Sequence, residues 1–332
     1  MSYDVVSFGE TMLRLSPPPG ERLESSQVLR SFVAGTESNT LACLSRLGLR
    51  CAWSSALPDN PVGRRVAAEL AGHGVDTQYV HWSGGASRLG LFYAEELAPP
   101  LGVRAYYDRQ HSACAQIDPD ALELSLVDGA RVLHLTGITY ALSSSARNVA
   151  DRLRGRALDA GAALSFDINY RAKLWRAEEA VVGVEEACRS AALVFCTRDD
   201  AAELWGLRGA PEAILESLAG RFGMECGDGR IVVLTLGSEG AAQLSNGEYS
   251  HAPVYPSHGV VRFGSGDAFS AGYLYAHLGG PLFQLARDEL EVTPLMFGNA
   301  LAALKRCIPG DIAVVTPDEV LSVLRASADR FR

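Results

Sequence analysis

The chain has 332 residues, a hydrophobic content of 48% and a net charge of −9, the size and balance of one large or two ordinary globular domains. Such acidity gives a nucleic-acid role no general electrostatic support. No apolar run is long enough for a membrane span, and the opening Met1-Ser2-Tyr3-Asp4 lacks the basic and apolar regions of a signal peptide. Seven cysteines (43, 51, 114, 188, 196, 226 and 307) form no CxxC pair, and read as buried thiols of a cytoplasmic protein, not as bridges or a zinc site.

In chain order, residues 3–8 read as a first strand ending at Gly9-Glu10. Residues 11–34 carry short alternating pieces broken by Pro17-Pro18-Pro19-Gly20, a strand excursion before the first helix. That helix begins near Ser38-Asn39 and stops at Gly48. A strand from Cys51 to Ala56, a helix from Val62 to His73 and a short strand near Tyr79 follow, and then a second excursion at 88–112. Beyond it, strands at 132–135, 163–167, 193–196 and 231–236 alternate with helices at 143–160, 177–190, 198–206 and 211–222. A small antiparallel piece covers 241–251, and helices at 267–279, 293–305 and 317–329 close the chain. This alternation predicts a single α/β domain over 1–332, with a doubly wound, mainly parallel sheet covered on both faces. Neither excursion is long enough for a separate domain, and together they are expected to form a small β-sheet lid over the ligand.

The stretch from Gly259-Val260-Val261-Arg262 to Gly264-Ser265-Gly266-Asp267 concentrates the chemistry. Glycines flanking Ser265 let the backbone turn sharply and converge its N–H groups. Small apolar residues from Ala268 onward make the turn a helix N-terminus, a natural anion site. A carboxylate beside such a cradle suits phosphoryl transfer, with Asp267 as base; an Asp that merely caps the helix is the alternative. Only Lys173 and Lys305 are lysines, and neither lies in a GxxxxGK[ST] loop, so phosphate must be held by backbone amides, arginine and metal.

Other candidates are polar residues at strand ends and helix starts. Gly35 and Asn39 open the first helix, where Asn39 serves a polyol or an ordinary cap. Asp167-Ile168-Asn169-Tyr170-Arg171 follows a strand, the usual place for ligand groups in an open sheet. Arg171 suits a carboxylate or phosphate, or a structural ion pair. Tyr106, Tyr107 and Arg109 end the second excursion, to close over a sugar acid or to pack the lid. Thr235-Leu236-Gly237-Ser238-Glu239-Gly240 is a strand and glycine turn open to nucleotide, and the seven histidines form no metal-ligand pattern.

Taken together these pieces resemble the ribokinase (PfkB) family of carbohydrate kinases over essentially the whole chain. Gly264-Ser265-Gly266-Asp267-Ala268-Phe269 is similar to the family's GAGD signature, and Ala34-Gly35-Thr36-Glu37-Ser38-Asn39 to its GGAxxN signature. Phe8 through Pro17, His134 through Thr139, Asp167 through Trp175 and Ile308-Pro309-Gly310-Asp311 resemble the branch that acts on 2-keto-3-deoxygluconate. The resemblance implies a Rossmann-like sheet with a strand lid, ATP as donor, Mg²⁺, and transfer to the terminal hydroxyl of that sugar acid or a close analogue. It implies Asp267 as general base, the amides of Gly264, Ser265 and Gly266 as anion hole, and Arg262 beside the moving phosphoryl. Gly35, Asn39, Phe92, Tyr107, Arg109, Arg171 and Asp311 would hold the sugar acid. Thr235, Gly237, Gly240 and Asn299 would lie near the nucleotide. A homodimer through the lid is a further implication. A sister kinase for neutral sugars such as fructose or ribose, or for a nucleoside, and a non-catalytic sensor are the rivals.

Three departures mark this chain. Val261 stands where the family usually has Asp, which leaves a monovalent cation undecided. The family's NxxE, which supports Mg²⁺ through water, is here Thr197-Arg198-Asp199-Asp200, so Asp200 keeps the acid while Thr197 lacks the amide. Phe92 replaces a frequent Tyr.

Overall fold

The computed structural model describes residues 2–97, 100–257 and 261–328. Gly259 and Val260 of the glycine stretch, residues 98–99 of the second excursion, and residue 329 of the last expected helix lie outside the described residues. The chain runs β1 (Val5–Phe8), β2 (Met12–Ser16), β3 (Arg30–Ala34), α1 (Thr36–Arg46), β4 (Cys51–Pro58), α2 (Pro61–Gly72), β5 (Val80–Ser83), β6 (Leu91–Glu96) and β7 (Val103–Asp108). It continues through β8 (Val132–Thr136), α3 (Gly137–Leu142), α4 (Ser144–Asp159), β9 (Ala163–Asp167), α5 (Ala177–Ser190), β10 (Leu193–Thr197), α6 (Arg198–Trp205) and α7 (Pro211–Arg221). It ends with β11 (Ile231–Thr235), β12 (Ala241–Ser245), β13 (Glu248–Ala252), α8 (Ser265–His277), α9 (Pro281–Leu290), α10 (Pro294–Arg306) and α11 (Pro317–Ala328).

Nine strands form the main sheet in the order β13-β12-β11-β10-β9-β8-β1-β4-β5, with β12 alone running antiparallel to the rest. Each residue of β1 is buried, as expected of a strand covered on both faces. From β1 the chain winds outward through β4 and β5, then returns to β8 on the other side and winds outward again. The gap between β1 and β8 is therefore a topological switch point, where an open α/β sheet has its ligand crevice. Glu10, Thr136, Asp167, Thr197 and Thr235 stand at or just beyond the carboxyl ends of β1, β8, β9, β10 and β11. The second sheet has the order β3-β2-β6-β7, with β2 and β6 parallel. Among the described residues no helix is long and apolar enough to cross a membrane.

The helix expected at 143–160 is preceded by a separate short one, α3, which fills the step from β8. α9 has no counterpart in the sequence-based expectation. Pro281 follows Gly280 and occupies the first turn of this helix, where a missing N–H costs nothing. Five cysteines are buried as expected; Cys226 and Cys307 are exposed.

α8 and α10 pack through facing glycines. A Cβ on Gly272 would lie 2.6 Å from the Leu301 side chain and 2.9 Å from Cα of Gly298. Gly272→Ala is therefore expected to destabilise the fold by about 1–3 kcal/mol through overpacking. A lower urea midpoint at unchanged m-value checks this.

Candidate active site

α8 starts at Gly264, whose φ of 75° lies in the left-handed region, and a Cβ there would overlap the carbonyl oxygen of Asp311. Both the dihedral and the close approach demand glycine. The first-turn amides of α8 then have no intrahelical acceptor, although the Ser265 amide makes a long 3.4 Å contact with the Arg262 carbonyl. Asp267 is the third residue of this helix, near the positive end of its dipole. The Thr36 hydroxyl donates to Asp267 Oδ1 at 2.6 Å, and Asn39 Nδ2 donates to Oδ2 at 2.7 Å. Asn169, in the loop after β9, donates to the Thr36 hydroxyl at 3.1 Å. Burial raises the Asp267 carboxyl above its ordinary range, opposed by these two hydrogen bonds and by the charges of Arg171 and Lys305.

Further acids crowd the same edge. Asp167 is pushed up to about 8 by burial, then by the charges of Asp200 and Asp267. Burial also raises Asp200, against the pull of Arg171. Asp200 accepts from the Tyr170 amide at 3.3 Å, and its own amide is capped by the Thr197 hydroxyl at 2.9 Å. Asn169 Oδ1 is buried without a hydrogen-bond partner among the described residues.

A cavity of about 1380 Å³ opens over these groups. Of the residues expected from the sequence, Gly35, Asn39, Phe92, Tyr107, Arg109, Arg171, Thr235, Arg262, Gly264, Ser265, Gly266, Asp267 and Asp311 line it. Phe92 and Tyr107 stack with centroids 5.3 Å apart on the small sheet's side. Five expected residues are not brought to the wall, among them Tyr106, which is exposed on the small sheet. Asp200 lies behind Tyr170. Gly237 and Gly240 shape the turn before β12. Asn299 donates to the carbonyls of Ala252 and Pro253 at 3.0 Å each, tying α10 to the end of β13.

The two arginines expected to meet an anion differ. Arg109 is buried and bound to Glu10, Nε to Oε2 at 2.8 Å, and Ser112 donates to the other oxygen of that carboxylate. Arg171 is exposed, with one acceptor among the described residues, the Tyr170 carbonyl at 2.9 Å.

Residues 2–318 match the family described as pfkB family carbohydrate kinase. The chain belongs to that family. It is thus a phosphotransferase on the ribokinase-like fold. The chain is 42% identical over 330 residues to a 2-dehydro-3-deoxygalactonokinase of Haloferax volcanii, covering 98% of each. A 2-dehydro-3-deoxygluconokinase of Thermoproteus tenax is 29% identical over 97% of this chain and 94% of its own. The crystal structure of the 2-dehydro-3-deoxygluconokinase of Thermotoga maritima superposes with a TM-score of 0.87 at 28% identity, covering 98% of this chain and 99% of the other.

Sequence reasoning gave no role to Thr36, Glu37 or Glu10 in this PfkB kinase. Thr36 had a local signal: it precedes Asn39 by three residues, so both share a face of the helix start. Glu37 had none. It is buried behind the site, its Oε1 accepting from the hydroxyls of Thr136 and Thr139 at 2.6 Å each, its Oε2 without a partner among the described residues. Burial pushes its carboxyl from 4.5 up to about 7, against those two hydrogen bonds. The folded chain thus holds this proton more tightly than the unfolded chain. The stability it contributes is complete below pH 4.5 and is lost as pH rises through about 7. Glu37→Gln is expected to flatten the fall in stability over that window, by up to about 1.4 kcal/mol per pH unit. Thermal melts of both proteins across the window check it.

Proposed function

We propose that this PfkB kinase transfers the γ-phosphoryl group of ATP to the terminal hydroxyl of a 2-dehydro-3-deoxy sugar acid, with Asp267 as general base. One observation carries the reading: both Asp267 oxygens are held, at 2.6 and 2.7 Å, by groups from α1 at the wall of a cavity. In that chemistry the hydroxyl oxygen forms the new bond to the γ-phosphorus as its proton passes to Asp267. The bond from the γ-phosphorus to the β-γ bridging oxygen breaks, and ADP leaves. A carboxylate raised by burial is a better proton acceptor than one in water. The amides of the Gly264-Ser265-Gly266 turn and the guanidinium of Arg262 are assigned to the charge on the transferring group.

The acceptor is assigned as an acid on two grounds. The relatives' names are those of sugar-acid kinases, and Arg171 offers an exposed guanidinium beside the cavity. Since Glu10 already neutralises Arg109, Arg171 takes the substrate carboxylate and Arg109 holds Glu10 toward sugar hydroxyls. The galacto-configured acid is the first candidate, after the more similar relative. The small sheet, through Phe92 and Tyr107, serves as the lid that excludes water. Thr235 faces the nucleotide, with Gly237, Gly240 and Asn299 bracing that wall.

The oxygen donors here suit a hard divalent cation. The carboxylates of Asp167 and Asp200 crowd each other, and Asn169 Oδ1 is buried without a partner among the described residues. Asp167, at the cavity wall, would hold Mg²⁺, with Asp200, set back behind Tyr170, contributing only through water; when bound the ion supplies neutralisation of phosphate charge.

An ADP-release assay over sugar acids of both configurations and over fructose and ribose tests the substrate class. Turnover is expected with a 2-dehydro-3-deoxy acid, and none above background with any acid overturns the reading. Asp267→Asn is expected to lower kcat at least about a hundredfold while ATP still binds; full activity would remove Asp267 as base. Arg171→Gln should raise KM for the acid by about ten- to a hundredfold, the worth of a charge-assisted hydrogen bond. It should leave KM for any neutral acceptor unchanged.

A further inference from the structure

One of the chain's two lysines, Lys305, is completely buried in the last turn of α10. Its Nζ donates to the carbonyl of Ile308 at 3.0 Å. The charges that act on it are those of Asp311, between α10 and α11, Arg14 of β2, Glu96 of β6 and Asp267 of α8, and its one hydrogen bond among the described residues is the one to Ile308. Arg14 is itself buried, 2.9 Å from Asp311 Oδ2 and 3.2 Å from Glu96 Oε1. Its guanidinium lies between the rings of Phe32 and Phe263, 4.6 and 4.7 Å from their centroids.

Desolvating two cations and two carboxylates costs several kcal/mol for each ion, and apolar side chains of similar volume would stabilise a core at least as well. What distinguishes this cluster is where its members touch. The carbonyl oxygen of Asp311 fits against Gly264, leaving no space for a Cβ. The carbonyl of Arg306, adjacent to Lys305, accepts from the Val261 amide at 3.3 Å. Phe263 packs on Arg14 and also on Phe92 of the small sheet, at 5.9 Å. The cluster therefore lies behind the turn that starts α8 and joins that turn to three strands of the small sheet.

We infer that Lys305 and Arg14 are positioning residues for phosphoryl transfer, a fixed pair of positive charges that sets the amides of residues 264–266 and the Asp267 carboxylate and couples both to the small sheet. The inference rests on the proposed reading that this turn is the reacting centre. Burial pushes the Lys305 ammonium below, and the Asp311 carboxyl above, their ordinary ranges. Each partner's charge opposes the shift.

Lys305→Ala tests the inference, since it leaves a cavity the length of the missing side chain. The variant is assayed with whichever acceptor the unsubstituted enzyme phosphorylates, so an error in the sugar assignment does not disturb the result. Its fold is checked by circular dichroism and thermal melting. With folded protein, KM for acceptor and ATP should change little and kcat should fall at least about tenfold, the effect of a displaced reacting group. Propylammonium chloride should restore kcat several-fold, and sodium chloride at equal ionic strength should not. A folded variant with kcat within about twofold of the unsubstituted enzyme, or one that the amine does not restore, overturns the inference. If Lys305→Ala does not fold, the pH profile of the unsubstituted enzyme decides. Its kcat should fall at a pH below the ordinary lysine range; a kcat flat to about pH 10 would overturn the inference. Asp267→Asn at full activity would sink the assignment of the base instead.

Discussion

The energetic constraint on which the site depends is the burial of a carboxylate. Removing Asp267 from water is unfavourable, and the fold offsets this with two hydrogen bonds from α1 and the N-terminal end of α8. The donors lie 231 and 228 residues away in sequence. They reach Asp267 only because β1 and β8 are adjacent while the chain winds outward from each in opposite directions.

Around this carboxylate the electrostatics are crowded. Asp167, Asp200 and Glu37 all have carboxyls raised by burial, and an acidic protein would otherwise repel anionic reactants. Positive charge is placed unevenly to counter this. Arg171 faces the cavity, Arg109 is paired with Glu10, and Arg14 with Lys305 lies behind the glycine turn. The same residue type thus has three uses, decided by its neighbours.

The small sheet is tied to the site through two of its strands. Lys173, in the loop after β9, donates to the carbonyl of Ala105 on β7 at 2.7 Å. Arg14 joins β2 to Asp311. Lys173 and the buried Arg14 therefore both hold this sheet, although the composition alone gives them no such task.

Much of the architecture is legible in the sequence, because strands covered on both faces must be continuously apolar and helices between them must be amphipathic. The alternation of apolar runs, the glycine turn before an apolar helix and the polar ends of strands are local properties, set by backbone sterics and hydrophobic burial. They identify an α/β fold, a helix N-terminus and the loop at 167–171 without reference to the rest of the chain. α9 escaped because the same Gly-Pro pair ends one helix and starts another. What only the tertiary structure decided is which charges meet. That Arg109 is bound by Glu10, that Glu37 lies buried behind Thr136, and that Asp311 closes on Gly264 depend on contacts between residues far apart in sequence. Electrostatic energy depends on distance in space and on burial, and neither is encoded in any one stretch of the chain.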